Sequence, residues 1–428
     1  YIEENILRPL GMEHSSFLLP PDLARAVAVG YEYRRGAYVP VAFDYLDQVA
    51  PSGSLNATAS DMARFMIAHL QLGQLDGTRI LEEASAREMH RQQFTHHPRL
   101  PGFAYGFYEH SENRQRALSH GGSLRGFSSL LLLLPEQNLG FFAACNRQEP
   151  RLLRELASRF FDRYYPTPET LPPSPLPGNF DESIDRFEGN YRSVRYTRRT
   201  AEKLAVLLSQ FQVTADGEGV LTVHYPKEAE APTRWMRIEP LLFQSLDGEA
   251  SLAFREDAGG ITHMFLQAYE FPLALEKLAW YEGARFQFGW LSFVLFCFLW
   301  ALIRWPADYL IHFRRRGQTR APRPARWARV LAWSTCALNL TFFLAFALAL
   351  LDLPWLRLDY GMPRWLAALF VTPLLTTALA ASLPVFAWRA WKNGYWSRKE
   401  RIHFSIISLA ALLFVPFLVY WNLLGFRF

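Results

Sequence analysis

Four uncharged stretches dominate the last third of the chain: Phe286 to Ile303, Val330 to Leu351, Trp365 to Trp388 and Ile402 to Phe426. At 1.5 Å per residue each is long enough, or nearly so, to cross about 30 Å of hydrocarbon. The first continues past Arg304 through Trp305, Tyr309, Leu310 and Ile311, so its far end snorkels into the interface. No polar face recurs at helical spacing, which argues against buried helices of a soluble core. The pattern predicts four transmembrane helices over about 286–311, 330–351, 365–388 and 402–425 within a membrane domain, residues 284–428.

The pattern before them is mixed. Thr58 or Ser60 can cap a helix over Ala59 to Leu72, with Asp61 near its positive end, an apolar stripe of Met62, Phe65, Met66 and Leu70, and Gly73 to end it. Strands are predicted over Phe103 to Glu109, Ala117 to His120, Phe127 to Leu134 and Leu139 to Cys145, with turns at Gly121-Gly122 and around Pro135 to Asn138. Such closely spaced strands favour an antiparallel sheet, and a helix from Arg151 to Tyr164 would pack on one face. Residues 1–165 therefore read as an α+β domain. Pro166 to Gly178 holds six prolines in thirteen residues and reads as a stiff linker. Residues 179–283 alternate short apolar runs with Asp216-Gly217, Asp247-Gly248 and Gly259-Gly260, which predicts hairpins of a small all-β domain.

Charge sharpens the division. Mean hydropathy is an unremarkable -0.03, but from Ala284 onward seventeen Lys or Arg face four Asp or Glu, whereas residues 1–283 carry twenty-eight against thirty-six. The basic residues sit in short loops between apolar runs, where membrane topology accounts for them better than nucleic acid does. The loop from Arg314 to Arg329 and the one from Arg389 to Arg401 are Arg- and Lys-rich and are expected to be cytoplasmic. Between the second and third spans Arg357 and Arg364 are balanced by Asp352 and Asp359, which suits the outer side. The soluble region is then expected outside the cytoplasm, in a multi-pass protein of the cell membrane. Such a domain needs an export signal, none is visible, and the first residue is Tyr1, so an N-terminal segment is expected to be missing. Cys145, Cys297 and Cys336 form no disulfide framework.

Three segments carry chemistry: Tyr1 to Met12 (YIEENILRPLGM), Pro51 to Phe65 (PSGSLNATASDMARF) and Ser119 to Asn146 (SHGGSLRGFSSLLLLLPEQNLGFFAACN). Together, and in this order, they resemble the C-terminal half of β-lactamase-related serine hydrolases, the class C and penicillin-binding-protein group. The resemblance covers about residues 1–165. It implies the C-terminal part of a β-lactamase/penicillin-binding-protein-like domain, in which a serine attacks a carbonyl, a lysine and a tyrosine move protons, and a Lys/His-x-Gly strand borders the site. His120-Gly121-Gly122 matches that strand, and by position the Ser123 N–H would be one oxyanion donor. Glycine permits close approach of substrate, and a histidine can hold a carboxylate. Without the resemblance, the same residues read as a strand-to-turn junction with a surface histidine.

The nucleophile and base motifs are absent. No lysine precedes Lys203, so no Ser-x-x-Lys exists in the hydrolase-like part, and Tyr420-Trp421-Asn422, the chain's one Tyr-x-Asn, lies in the last span. The chain as it stands is expected not to catalyse acyl transfer. Cys145 with His120 could form a Cys–His pair, but Cys145 continues an apolar strand and reads as a small buried hydrophobe. His90, His96 and His97 lack metal-ligand spacing. Glu82-Glu83 read as exposed helix-start charges. Asn56-Ala57-Thr58 fits a glycosylation acceptor, with Thr58 better used as a cap. Asn339 and Thr341 are the polar residues nearest a bilayer centre and read as packing contacts. No metal and no cofactor are expected.

The resulting expectation is a membrane-anchored serine hydrolase acting through an acyl-enzyme on amide or ester bonds of a small-molecule or peptide substrate, cell-wall fragments among them. Its partners are that substrate and the lipid bilayer, not nucleic acid. The rival readings are a non-catalytic receptor for cell-wall fragments and a transporter with an outer accessory domain.

Overall fold

A computed structural model describes every residue except 19, 20, 22, 44–49, 168–182, 217, 218, 227–230, 247, 249, 269, 270, 315–321, 353–362 and 428. Contacts divide the chain into two units. The first is Tyr1–Val194 with Phe211–Lys277, and the second is Arg195–Gln210 with Leu278–Phe428.

The first unit opens on a helical segment, Glu3–Leu7, and a hairpin of β1 (Gly30–Arg34) and β2 (Ala37–Val41). A single turn, α1 (Ala50–Gly53), precedes α2 (Ala59–Leu70). Thr58 caps α2 through an N–H···Oγ1 bond from Asp61 of 3.2 Å, so the hydroxyl of the glycosylation-like triplet serves the helix. Asp61 is itself buried and accepts from His14 N–H (2.9 Å) and Ser15 Oγ (2.7 Å), tying the preceding loop to the helix start. A small ribbon, β3 (Gln74–Leu75) with β4 (Thr78–Arg79), leads to α3 (Glu83–His90).

The central sheet is antiparallel in sequential order, β5 (Tyr108–Glu112), β6 (Gln115–Leu124), β7 (Phe127–Leu134) and β8 (Leu139–Cys145). The unbroken leucine run of β7 is apolar on both faces because both are covered. Leu130, Leu132 and Leu134 meet Leu153, Ala157 and Phe161 of α4 (Pro150–Tyr164), which recur four apart and form one helical stripe. Leu131 and Leu133 face Met66 of α2, with Leu118 and Phe107.

Two strand predictions change. Gly121-Gly122 is not a turn: every residue from Leu118 to Leu124 pairs with β7, and the chain reverses at Arg125-Gly126 instead. Pairing along the whole strand overrides the local turn preference of two glycines, and Gly126 at φ +81 takes the backbone conformation that the reversal needs. The strand expected over Phe103 to Glu109 lies at Tyr108–Glu112, with Phe103 held only in isolated bridges to Phe94 and Tyr108. Pro101 stands just before that run and Gly106, at φ +76, breaks it, so regular pairing starts only after both.

The all-β expectation becomes an eight-stranded closed barrel in the order β10-β11-β12-β13-β14-β15-β16-β9. Its strands are β9 (Gly189–Ser193), β10 (Gln210–Ala215), β11 (Val220–His224), β12 (Thr233–Glu239), β13 (Leu242–Ser245), β14 (Ser251–Asp257), β15 (Gly260–Ala268) and β16 (Phe271–Lys277). Phe187, Tyr191, Phe243 and Phe254 fill the interior, with the Phe187 and Phe254 ring centroids 4.6 Å apart. Within this unit the barrel meets the sheet domain through Leu100, Leu242, Ala253 and Phe265. His96 stacks on Phe265 at 4.5 Å, and Arg99 pairs with Glu239 at 2.8 Å. Ala258 and Gly259 form the turn between β14 and β15, whereas most of the predicted Pro-rich linker, Gly217 and Asp247 lie outside the described residues.

The second unit holds α5 (Ala284–Arg314), α6 (Arg323–Asp352), α7 (Arg364–Leu369), α8 (Val371–Lys392) and α9 (Arg398–Tyr420). Four helical stretches, Ala284–Ala307, Arg323–Leu350, Arg364–Lys392 and Arg398–Tyr420, are long and apolar enough to cross a membrane. Large apolar side chains point outward, Phe296 and Leu344 each being 63% exposed, as expected of helices whose solvent is lipid. Phe298, Phe342, Phe370, Phe404 and Phe414 fill the interior. Asn339 is buried, while Thr341 faces outward, so only the former takes part in the interior packing. Arg329 pairs with Glu400 at 2.7 Å, and Ser397 and Glu400 form a capping box at the start of α9.

Candidate functional site

The four residues His120, Gly121, Gly122 and Ser123 lie together near the C-terminal end of β6. On one side each has a partner in β7: Leu131, Leu130, Ser129 and Ser128, respectively. On the other side β5 pairs only as far as Tyr108 with Ser119. Among the described residues no strand covers β6 beyond that point, so residues 120–124 present an open edge.

Register decides which groups face that edge. The β5–β6 hairpin turns on Asn113-Arg114, at φ +48 and +62, and the β6–β7 hairpin on Arg125-Gly126. In antiparallel pairs, hydrogen-bonded and non-hydrogen-bonded positions alternate from the closing pair of a two-residue loop. Counting from Leu124 opposite Phe127 makes Ser123 and Gly121 non-hydrogen-bonded toward β7. Counting from Glu112 opposite Gln115 makes Ser119 hydrogen-bonded toward β5, which agrees. Ser123 and Gly121 therefore turn their N–H and C=O groups to the open edge.

Side chains alternate as well. Leu118, His120 and Gly122 share the face that carries α2, and Ser119 and Gly121 the face that carries α4. His120 is exposed and stacks on the Tyr108 ring at 5.8 Å with a 20° interplanar angle. A Cβ on Gly122 would come within 2.4 Å of Ser129 Oγ, so a side chain here must displace that hydroxyl. Ser123 is exposed and its Oγ accepts from Gln148 Nε2 at 3.3 Å.

The hairpin tip next to the edge is pinned. Arg125 Nε donates to Glu32 Oε1 at 2.6 Å, and that bond leads the effects holding the Glu32 carboxyl below its usual range. The remaining strand end is tied by Tyr31 N–H to Asn146 O (2.9 Å) and by Asn146 Nδ2 to Val29 O (2.9 Å).

Other sequence candidates fall elsewhere. Cys145 lies opposite Ser128 on the far side of β7, and its thiol donates to Arg147 O at 3.3 Å, so β7 separates it from His120. His90 pairs with His69, and His96 stacks on the barrel. Among the described residues no group of three or more His, Cys, Asp or Glu could hold a metal ion. Tyr108 and Ser129, which shape the edge around His120 and Gly122, carried no signal in the sequence, because both reach it only through cross-strand pairing. A separate cleft of about 420 Å³ lies on the α4 face, lined by His110, Glu112, Ser119, Arg151 and Arg154 among others.

Residues 1–160 match the Beta-lactamase family model, so this part of the chain is a β-lactamase-related domain. A human β-lactamase-like protein, beta-lactamase-like 1, is 29% identical over 176 residues, covering 40% of this chain and 33% of its own. Protein flp of Staphylococcus aureus (strain N315) is 26% identical over 159 residues, covering 36% and 31%. The chain thus spans about a third of the length of the curated relatives it matches. Among solved structures, a penicillin-binding protein homologue from Pyrococcus abyssi aligns at TM-score 0.34 and 17% identity over 64% of this chain and 59% of its own. A class C β-lactamase from Rhodobacter sphaeroides aligns at TM-score 0.31 and 19% identity over 37% and 51%.

Proposed function

We propose that residues 120–124 are the substrate-facing wall of a membrane-anchored serine hydrolase that works through an acyl-enzyme on amide or ester bonds. The observation that carries this reading is the open edge of β6, with His120 exposed at one end and the Ser123 N–H turned outward. An extended substrate can add to such an edge as a further strand. An N–H fixed by the sheet is a donor that needs no reorganisation as charge develops on a carbonyl oxygen. His120 can hold a substrate carboxylate or polarise the reacting carbonyl. In this reading the serine, lysine and tyrosine are supplied by residues outside this sequence, since no lysine precedes Lys203. D-amino-acid peptides, β-lactams and simple esters are the substrate classes that fit. The β-lactamase-related domain and the barrel lie outside the cytoplasm and the Arg-rich helix ends inside, following the loop charges.

The absence of a Ser-x-x-Lys motif in residues 1–202 also suits a receptor that binds cell-wall fragments without turning them over. One experiment separates the two: acylation of the full-length protein by a fluorescent β-lactam. A serine adduct is expected, and His120→Ala should slow its formation about ten- to two-hundredfold, the equivalent of a charge-assisted hydrogen bond of roughly 1.5–3 kcal/mol. The melting temperature should stay unchanged, because His120 buries little apolar surface. Reversible binding with no adduct would favour the receptor, and an unchanged rate with a lowered melting point would show that His120 is structural.

A further inference from the structure

The chain between β9 and β10, Arg195–Gln210, belongs to the unit of the membrane helices. Its helical turn Ala201–Leu208 places Ala201, Val206 and Leu207 in the same apolar cluster as Phe298, Phe414 and Trp421. Polar bonds fix it to one end of the bundle. Lys203 Nζ donates to Tyr420 O at 2.8 Å and lies 3.7 Å from the centroid of the Tyr420 ring. Asn422 Nδ2 donates to Arg198 O and Thr200 O, both at 3.0 Å, and Ala201 N–H donates to Arg427 O at 2.9 Å. Gln210 Nε2 donates to Glu282 O at 3.1 Å while its Oε1 accepts from Ala284 N–H at 2.9 Å, at the start of α5. Three segments, 195–210, 278–287 and 420–427, therefore form one collar where the first span begins and the last one ends.

Two features of the collar face outward. Leu208 and Trp280 are 74% and 76% exposed, at the level where apolar spans give way to water. The same segments carry Arg195, Arg198, Arg199, Arg285 and Arg427, all exposed, with Glu202 as an exposed acid; Arg198 also lies over the Tyr196 ring at 5.0 Å, and Arg427 Nη1 donates to Asn422 Oδ1 at 2.9 Å. The positive-inside rule accounts for the basic residues at the opposite end of the bundle, around 314–329 and 389–401, but not for these. Exposed apolar side chains on segments that also carry several exposed guanidinium groups match a surface that is hydrocarbon below and anionic above.

We propose that this collar binds the phosphate groups of anionic phospholipids, with Leu208 and Trp280 seated among the upper carbons of the acyl chains. Lys203, turned onto Tyr420, serves to hold the collar on the bundle. The proposal rests on the four helices being membrane spans. Extraction of the full chain from membranes by detergent but not by alkaline carbonate tests that premise separately.

The decisive experiment is native mass spectrometry of the full chain released from vesicles of equal phosphatidylglycerol and phosphatidylcholine. Phosphatidylglycerol should be retained in preference, and Arg198→Gln with Arg199→Gln should lower that preference roughly tenfold or more, given the usual contribution of each basic residue at an anionic surface. Arg398→Gln with Lys399→Gln, at the other end, should leave most of it. Equal retention of the two lipids by the wild type would overturn the proposal. So would a preference that survives in the first pair of variants and disappears in the second. Unchanged melting temperatures of the variants in neutral detergent would confirm that lipid selection, not folding, was altered.

Discussion

His69 Nδ1 lies 3.1 Å from His90 Nε2 inside the first unit, with the rings of Phe65 and Phe107 packed against His69. Only one proton can lie between two imidazole nitrogens, so the arrangement favours a neutral pair. Burial, with a smaller contribution from His90, pushes His69 down to about 4. His90 is lowered as well, by burial and then by Arg116, whose Nη2 donates to His90 O at 2.7 Å. Because the folded pKa values lie below that of an unfolded histidine, the unfolded chain binds more protons in the window between them. Stability is full above about pH 6.5 and falls as the pH drops toward 4, by something on the order of 2–3 kcal/mol for His69. Melting temperature against pH should show this loss, and His69→Phe should flatten it. An equally steep profile in the variant would place the acid sensitivity elsewhere.

Gly122 and Ser129 face each other across β6 and β7, and the contact predicts a rescue. Gly122→Ala should destabilise the fold by about 1–2 kcal/mol, the usual cost of overpacking. The obstacle is the far end of a small side chain, so Ser129→Ala should restore most of the loss when combined with it. Thermal melts of the two single variants and the double variant measure the coupling. Simple additivity would show that Gly122 is required for some reason other than the Ser129 hydroxyl.

Glu109 is buried on β5 and fully engaged. Oε1 accepts from Arg116 Nε (2.8 Å) and Nη2 (2.5 Å), and Oε2 accepts from Gly102 N–H (3.0 Å) and Gln92 Nε2. Burial acts to raise the Glu109 pKa, but these donors outweigh it and hold the carboxyl below its usual range. Glu109→Ala should cost roughly 2–3 kcal/mol, since it strands Arg116 and two further donors. Arg116→Met should cost less, because the carboxylate keeps its other partners, and the double variant should cost less than the two single losses together. Denaturant unfolding of the three variants checks the order.

The strand edge was half legible in the sequence. His120, Gly121, Gly122 and Ser123 stood out because they match a family motif, and motif matching needs only neighbours in sequence. What makes them an edge could not be read there. The strand continues through the two glycines because β7 pairs with all of them, and it lies uncovered because β5 stops at Tyr108. Both facts concern residues on other strands. In the same way the sequence sets His90 close to His96 and His97, whereas the fold buries it against His69 on another helix.

The four helices long and apolar enough to cross a membrane were legible in the sequence alone, since a helix in lipid satisfies its own backbone and needs only about twenty apolar residues in a row. The apolar runs of the barrel and the stripe on α4 were legible for a similar reason: short-range periodicity reports which face is buried. The position of Arg195–Gln210 was not. Its residues lie between two strands of the barrel and carry no long apolar run, yet Ala201, Val206 and Leu207 join the helix core and Lys203 is held by Tyr420, more than two hundred residues later. Hydropathy is a sum over neighbours, and sequence can supply it. Pairing, register and the choice of which segment covers a helix end depend on contacts between distant residues, and only the tertiary structure decides them.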